Sequence, residues 1–301
     1  MSNFDPRTIA QIMGGKVTGR NRVSVPGPGH SPKDDSLSIL IDARAPGGFV
    51  VYSHANDDPL LCRDYVRQRL GLETWSARSN ANFSIPPLSV TVSSDKDEAN
   101  RKAFAQKIWQ QSTDPTGTIV ERYLLESRGL QLSSQIVNSV VRYHARLRLG
   151  DQTFPGMVCL MRNVKTDDPC GIQRTFLDTD GKKIERRMLG IAKNAAIKID
   201  SHESINGPLT IGEGFETTYA SKLAGFGPSW ALGSAGAIKT FPVITRVKAL
   251  TILQENDETG TSARAVAECG KRYLAAKRPV NVVTPRADLA DFNDVWLEAR
   301  K

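Results

Sequence analysis

Paired cysteines are missing from this chain. Its four, Cys62, Cys159, Cys170 and Cys269, are scattered and form no C-x-x-C pair. That argues against a disulfide scaffold or an intact zinc site, and for a reduced cytoplasmic protein with free thiols. No apolar run approaches the roughly 18 residues of a membrane span, so no membrane partner is expected. The opening "MSNFDPRTIAQIMGGK" lacks the charged-then-apolar layout of a signal peptide. No G-x-x-x-x-G-K-[ST] loop occurs, so there is no P-loop ATPase signature. Internal repeats and low-complexity tracts are absent too. Acid is the minority charge, with 32 Asp and Glu against 40 Lys and Arg for a net +8. That balance favours an anionic partner, nucleic acid being the commonest.

What is present is enough chain, at 301 residues, for two or three compact units. The segment 1–75 opens with a helix-like stretch and a turn-rich "VPGPGHSPKDDSLSI". The strand-like "GGFVVYSH" follows, and then "PLLCRDYVRQRLGL", whose Leu61, Tyr65, Val66 and Leu70 fall at helical spacing. Residues 76–100 are polar, proline-bearing and without period, which reads as a linker. A second unit, 101–204, has amphipathic helices at "FAQKIWQQS" and "IVERYLLESRGL", with Gly129 placed as a helix stop. After them come strands at "GMVCLMRNV", "GIQRTFLDTDGKKI" and "AAIKID", with "DTDG" as a hairpin turn. The third unit, 205–301, alternates continuous apolar strands with helices. This predicts an α/β fold with a parallel sheet flanked by helices. An α+β subdomain and a small N-terminal domain precede it.

Against the excess of base, acids collect at three strand ends of the last unit. "LTIGEG" ends in Glu213 between two glycines, "LTILQEND" in Glu255 and Asp257, and "DFND" offers Asp291 and Asp294 after "NVVTP". In parallel α/β sheets ligands gather at the carboxyl ends of strands, so neighbouring strands would bring these carboxylates together. Like charges at such range repel unless a cation sits among them, and hard oxygen ligands suit Mg²⁺. Such a cluster serves phosphoryl chemistry. Gly212 and Gly214 would let backbone approach a phosphate around Glu213, and Gly260 permits the turn before the next helix. Any one of these acids alone would read as a solvated loop residue; the set reads as a site.

"IGEGFETTYAS", "LGSAGAIKTF", "LQENDETGTSARA" and "DFNDVW", in that order and spacing, resemble the Toprim domain. That domain is shared by bacterial-type primases, type IA and II topoisomerases and some nucleases. In particular, the motifs resemble the Toprim variety of primase-helicase proteins of phages, plasmids and integrated elements. It implies that Glu213 acts as general acid/base and that Glu255 and Asp257 hold the catalytic Mg²⁺ or Mn²⁺. Asp291 and Asp294 are candidates for a second metal. One departure is Glu255, where the family normally has Asp. The side chain is longer by one methylene, which can slow a cluster of narrow tolerance while leaving metal binding intact.

The middle unit is rich in cations. In "IQRTFLDTDGKKI", Arg174 and the Lys182–Lys183 pair flank one hairpin, a geometry suited to triphosphate or template phosphates. Arg146, Arg148 and Arg187 read as solvated surface. "YLLESRGL", "RYH" and "RTFLDTDGKK" resemble the segment that precedes Toprim in the primase-like proteins. Arg128, Arg174, Lys182 and Lys183, with Gly214 and Gly260, make up the expected nucleotide- and nucleic-acid-binding set.

The first segment resembles the N-terminal zinc ribbon of primases, which uses three Cys and one His. Here Val25 stands at the first Cys position, Ser53 and Asn56 fall near others, and only His30 remains. No zinc is expected, and Lys33, Asp34 and Asp35 read as a solvated turn.

The resemblance implies a primase-like nucleotidyltransferase making short primers on single-stranded DNA from NTPs, working with a separate helicase-type ATPase. A Toprim nuclease, or a DNA-binding replication accessory whose site has drifted, are the alternatives. A topoisomerase would need a tyrosine-bearing breakage domain that this chain does not supply.

Overall fold

The computed structural model describes residues 5–32, 34–42, 45, 47–55, 57–72 and 95–300. It divides into two compact units, Met1–Leu88 and Ser89–Lys301. Lys33, Asn56 and most of the expected linker lie outside the described residues.

In the first unit, α1 (Pro6–Met13) starts where Asp5 accepts the Thr8 N–H at 3.1 Å, and ends at Gly14 in the left-handed region. Strands β1 (Lys16–Gly19), β2 (Arg22–Val25), β3 (Leu37–Ile41) and β4 (Phe49–Ser53) pair antiparallel in chain order, and α2 (Pro59–Arg69) closes the unit. Val23, Val25, Leu37, Ile39, Phe49, Cys62 and Val66 form its core with Ile9 and Met13. Val25, which stands at the first Cys position of a ribbon, is a core residue, as is Cys62. His30 is tied on both ring nitrogens. Nδ1 lies 2.6 Å from Asp34 Oδ2 and 2.9 Å from Ser36 Oγ, and Nε2 lies 3.1 Å from Asp57 Oδ1. Ser53 Oγ donates to Asp57 at 2.8 Å. Asp34 thus belongs to a polar network, where a solvated turn was expected. This network links the β2–β3 loop to the segment before α2, where a ribbon would use its metal.

In the second unit, α3 (Asp95–Gln111) begins inside the expected linker. Next come α4 (Ile119–Arg122), running into a π-helical turn Tyr123–Ser127, and the strands β5 (Val141–Leu149), β6 (Gln152–Asn163), β7 (Pro169–Leu177), β8 (Lys183–Gly190) and β9 (Ala195–Lys198). The remaining elements alternate: β10 (Gly207–Gly212), α5 (Phe215–Leu223), β11 (Ser229–Ala231), α6 (Ala235–Thr240), β12 (Val247–Leu253), α7 (Thr261–Ala275), β13 (Val280–Val283) and α8 (Phe292–Glu298). One nine-stranded mixed sheet runs through all of it, in the order β13-β12-β10-β11-β9-β6-β7-β8, with β5 paired to β6. Strands β10 to β13 are parallel, as their continuous apolar character predicts. β9 pairs antiparallel with both β11 and β6, welding the parallel half to the antiparallel half. The boundary expected at 204/205 therefore cuts a continuous sheet.

Two cores sandwich the parallel half. Leu209, Ile211, Leu250 and Ile252 pack with Ile238, Val266, Cys269 and Tyr273 of α6 and α7. Phe215 and Tyr219 of α5 share the other core with Tyr123, Leu124, Met157 and Cys159. The outer face of the antiparallel half, Val158, Ile172 and Phe176, is covered by Ala105, Ile108 and Trp109 of α3. Among the described residues no helix is long and apolar enough to cross a membrane.

Candidate active site

β10 and β12 are direct parallel neighbours, with Ile211 opposite Ile252. Glu213 and Glu255 therefore leave adjacent strand ends at nearly one level. The intervening Asn256 brings in the third acid. Its backbone N–H donates to the Ala290 carbonyl at 2.8 Å, and its amide nitrogen donates to the carbonyls of Arg286 and Leu289 at 2.8 Å and of Pro285 at 3.3 Å. That stitching draws the 285–290 loop against the end of β12. It delivers Asp291, the N-cap of α8, to the cluster.

The charges feel one another. Burial, then the Glu213 and Asp291 carboxylates, push Glu255 up to about 7, with Arg186 the opposing cation. Burial also raises Glu213; Arg186 pulls it back, Asp257 adds repulsion, and the Ala235 backbone N–H offsets part of the cost. Asp257 behaves differently. Its Oδ2 accepts from the Thr259 hydroxyl at 2.5 Å and the Thr261 N–H at 2.7 Å, and its Oδ1 from the Ser262 N–H at 2.9 Å. These bonds hold its carboxyl below the usual range, so Asp257 stays ionised at the head of α7.

Asp294 Oδ2 accepts the Ala290 N–H at 3.1 Å in the cap of α8. Glu258 is exposed. Gly260, at φ +64, makes the left-handed turn before α7 that an L side chain rarely adopts.

The basic residue at the cluster is Arg186. Its Nη2 lies 3.9 Å from Glu213 Oε1, and its Nη1 lies 3.0 Å from where a Cβ on Gly214 would stand. Gly214 therefore makes room for this guanidinium, and Gly212 makes room for Thr218, whose Oγ1 would be 2.4 Å from an added Cβ. Arg174 lies on the other face. In the β7–β8 register Thr175 is opposite Arg186 and Arg174 opposite Arg187, and side chains alternate along a strand. Arg174 thus faces the α3 side, over the Phe176 ring at 5.4 Å. Lys182 and Lys183 sit exposed at the hairpin, where the Lys182 N–H closes the turn onto Asp178 at 2.8 Å.

Arg128 does flank the cluster. Its Nε donates to the Tyr123 hydroxyl at 3.1 Å, which donates to Glu216 Oε1 at 2.8 Å. Burial opposes its charge, but Tyr123, Glu216 and Asp291 outweigh that and raise its pKa. Helix α8 holds this corner. Asn293 Nδ2 donates to the Arg128 carbonyl and Trp296 Nε1 to the Gly129 carbonyl, both at 2.9 Å.

Arg186, Asn256, Tyr123 and Glu216 were not singled out from the sequence. Only the first had a usable signal: in "KIERRMLG" adjacent arginines must face opposite sides of a strand, so one of them had to face the acids.

The donor set fits a hard divalent cation. Glu213, Glu255, Asp257 and Asp291 offer only oxygen, and their mutual repulsion would be relieved by Mg²⁺ or Mn²⁺. Among the described residues no three His, Cys, Asp or Glu side chains close round a point on their own.

Residues 208–301 match the Toprim domain family, and residues 99–199 match a domain of unknown function, DUF7146. No curated protein matches the chain. Among solved structures, it is similar to the Aquifex aeolicus primase (zinc-binding and RNA polymerase domains), at 12% identity and a TM-score of 0.47, covering 99% of this chain and 80% of that one. It is also similar to a DNA primase domain from Pseudomonas aeruginosa, at 11% identity, TM-score 0.46, and 66% and 74% coverage. A third is the RNA polymerase domain of Mycobacterium tuberculosis primase DnaG, at 13% identity, TM-score 0.41, and 67% and 78% coverage.

Proposed function

We propose that this chain, whose residues 208–301 form a Toprim domain, is a primase-like nucleotidyltransferase that joins NTPs into short primers on single-stranded DNA. The observation that carries the reading is the pairing of four clustered carboxylates with one inward-facing arginine, Arg186, at the carboxyl edge of a parallel sheet. Such a constellation suits a reaction in which negative charge on phosphate must be bound and a hydroxyl deprotonated.

Glu213, partly desolvated and with a raised pKa, is the base that takes the proton of the attacking 3′-hydroxyl. Glu255 and Asp257 would hold Mg²⁺ or Mn²⁺, with Asp291 beside them. When bound, the metal neutralises phosphate oxygens and the leaving pyrophosphate. Arg186 binds the phosphate that the carboxylates alone would repel, and Arg128, fixed by Tyr123 and Glu216, does the same from the α8 side. Lys182 and Lys183 on the exposed hairpin suit the template backbone, where contacts are electrostatic and salt-dependent. Arg174, on the opposite face, serves the same strand outside the centre. A separate helicase-type ATPase is the proposed partner.

One observation favours the accessory reading in its place: the bonds from α7 and Thr259 already take three of the roughly four acceptor sites of the Asp257 carboxylate. The deciding experiment is incubation with single-stranded DNA, labelled NTPs and Mg²⁺ or Mn²⁺. Short oligonucleotide products support the primase reading. DNA cleavage in their place would identify a nuclease, and tight DNA binding with neither outcome would identify an accessory.

A further inference from the structure

On the sheet face that carries Arg186, two polar side chains have nothing to bond. Gln173 is fully buried (0% exposed), and both its amide nitrogen and amide oxygen lack a partner; Thr175, two residues along and 1% exposed, has an unpartnered hydroxyl. Leaving such a group buried and unpaired carries its full desolvation penalty. Most buried polar side chains find partners, so two neighbouring exceptions on one face call for a cause. Packing alone is not that cause. The cross-strand neighbours on β6 are Cys159 opposite Gln173 and Met157 opposite Thr175, so an apolar residue at either position would suit its surroundings better.

Their place in the site supplies the cause. Thr175 is opposite Arg186, and Gln173 is opposite Met188. The position a Gly233 Cβ would take is 3.9 Å from Gln173 Nε2 and 2.9 Å from Met188 Sδ. The Gly233 N–H itself donates to the Glu213 carbonyl at 2.8 Å. Along the sheet face, Arg186 stands with Thr175, and Met188 with Gln173 lies about 6.7 Å along the strand from them, beside Gly233 and the Glu213 backbone. A nucleotide with its phosphate beside Arg186 meets this pair with its sugar.

We propose that Gln173 and Thr175 are the sugar-reading subsite of the nucleotide bound at the Glu213 centre, and that they select ribose over deoxyribose. The proposal rests on the nucleotidyltransferase reading above. An amide and a hydroxyl each donate and accept, which matches the two roles of a sugar hydroxyl. A site built to bond a hydroxyl rejects the analogue lacking it, because its own polar groups are then left unpaired. Met188 is the cover. It is 37% exposed, lies against Gly233, and as a flexible thioether can turn out of the way. Gly233, at φ +90, leaves it room.

The test measures binding of ATP and of dATP, each with Mg²⁺ and an oligothymidylate template, to the full chain by calorimetry. Thermal midpoints are recorded on the same samples, with Gln173→Leu, Thr175→Val, the double variant and the conservative Thr175→Ser. The wild type is expected to bind ATP about tenfold or more tighter than dATP. The double variant should bring that ratio close to one by weakening ATP alone, Thr175→Ser should preserve it, and the thermal midpoints should hold or rise. An unchanged ratio in the double variant overturns the subsite. So does a fall in thermal midpoint with the ratio intact, which would assign the pair to internal structure. A wild type that binds template but neither nucleotide overturns the nucleotidyltransferase reading and the subsite with it.

Discussion

Arg186 Nη2 and Glu213 Oε1 stand 3.9 Å apart, joining a strand of the antiparallel half to the acid-bearing edge of the parallel half. This contact makes Arg186 part of the centre, whereas its neighbour Arg187 pairs with Glu185 at the surface at 2.5 Å. Arg186→Met should reduce primer synthesis by about 10²-fold or more, the usual loss for an aligned electrostatic contact. Arg187→Met should stay within about twofold, as surface substitutions do. The variant should also shift the pH–rate profile to higher pH, because Arg186 holds down both Glu213 and Glu255. Rates compared across pH 6 to 9 check both.

Glu255 links pH to stability. Its carboxyl is pushed up to about 7 in the folded protein, against about 4.3 in an unfolded chain. The folded state thus binds the extra proton, and its stability falls as pH rises between those values and then levels off. In metal-free buffer, Glu255→Gln should be more stable than the wild type at pH 7.5 and nearly equal at about pH 4, below the unfolded value. Mg²⁺ should close the gap at pH 7.5 by raising the wild type. Thermal midpoints with and without EDTA test the sign.

Glu255→Asp should preserve or raise primer synthesis, since the shorter carboxylate keeps charge and donor atoms while lowering the repulsion with Glu213. A dead wild type revived by that one change would show a site that had drifted.

Asn256 carries three hydrogen bonds to the 285–290 loop. Asn256→Ala should cost about 1–3 kcal/mol in stability and lower activity by releasing Asp291. Glu258→Ala, next to the same turn and exposed, should do neither. Denaturation midpoints and initial rates of the two variants separate the effects.

How much of this was legible beforehand follows from what sequence patterns encode. The parallel half was legible because buried parallel strands are continuously apolar and its acids sit where each apolar run stops. The pairing of β9 with both β11 and β6 was not, since four residues, "AAIK", carry no mark of which neighbours they choose. Arg174 reads from the sequence as a phosphate contact beside its hairpin, because sequence shows charge without facing. The register that turns it toward α3 and turns Arg186 toward Glu213 is set by the hairpin, not by residue type. Asn256 carries no mark in the sequence, because its work is done by an amide against backbone carbonyls some 30 residues away. The loss of cysteine in the first segment was visible, but the His30–Asp34–Asp57 network that stands there was not.

That network makes its own prediction. The Asp34 hydrogen bond, set against burial and reinforced by Asp57, raises the His30 pKa above its ordinary value. The Ser36 and His30 contacts lower that of Asp34. The His30 contribution is present below about pH 6.5 and is lost as pH rises through the raised value. The Asp34 contribution is lost as pH falls below the ordinary carboxylate range. Unfolding of the first unit, followed by hydrogen exchange in the full chain, should show greatest protection between these limits. His30→Ala should flatten the upper side, and EDTA should change nothing.

The central claim is that Glu213 takes a proton from the attacking hydroxyl at a metal-assisted phosphoryl-transfer centre. Formation of the first dinucleotide on single-stranded DNA, under single-turnover conditions with saturating NTP, measures it most directly in the wild type and Glu213→Gln. The account predicts product from the wild type and a loss of about 10²-fold or more in the variant, with template binding unchanged. Dinucleotide formed by Glu213→Gln at the wild-type rate would contradict it.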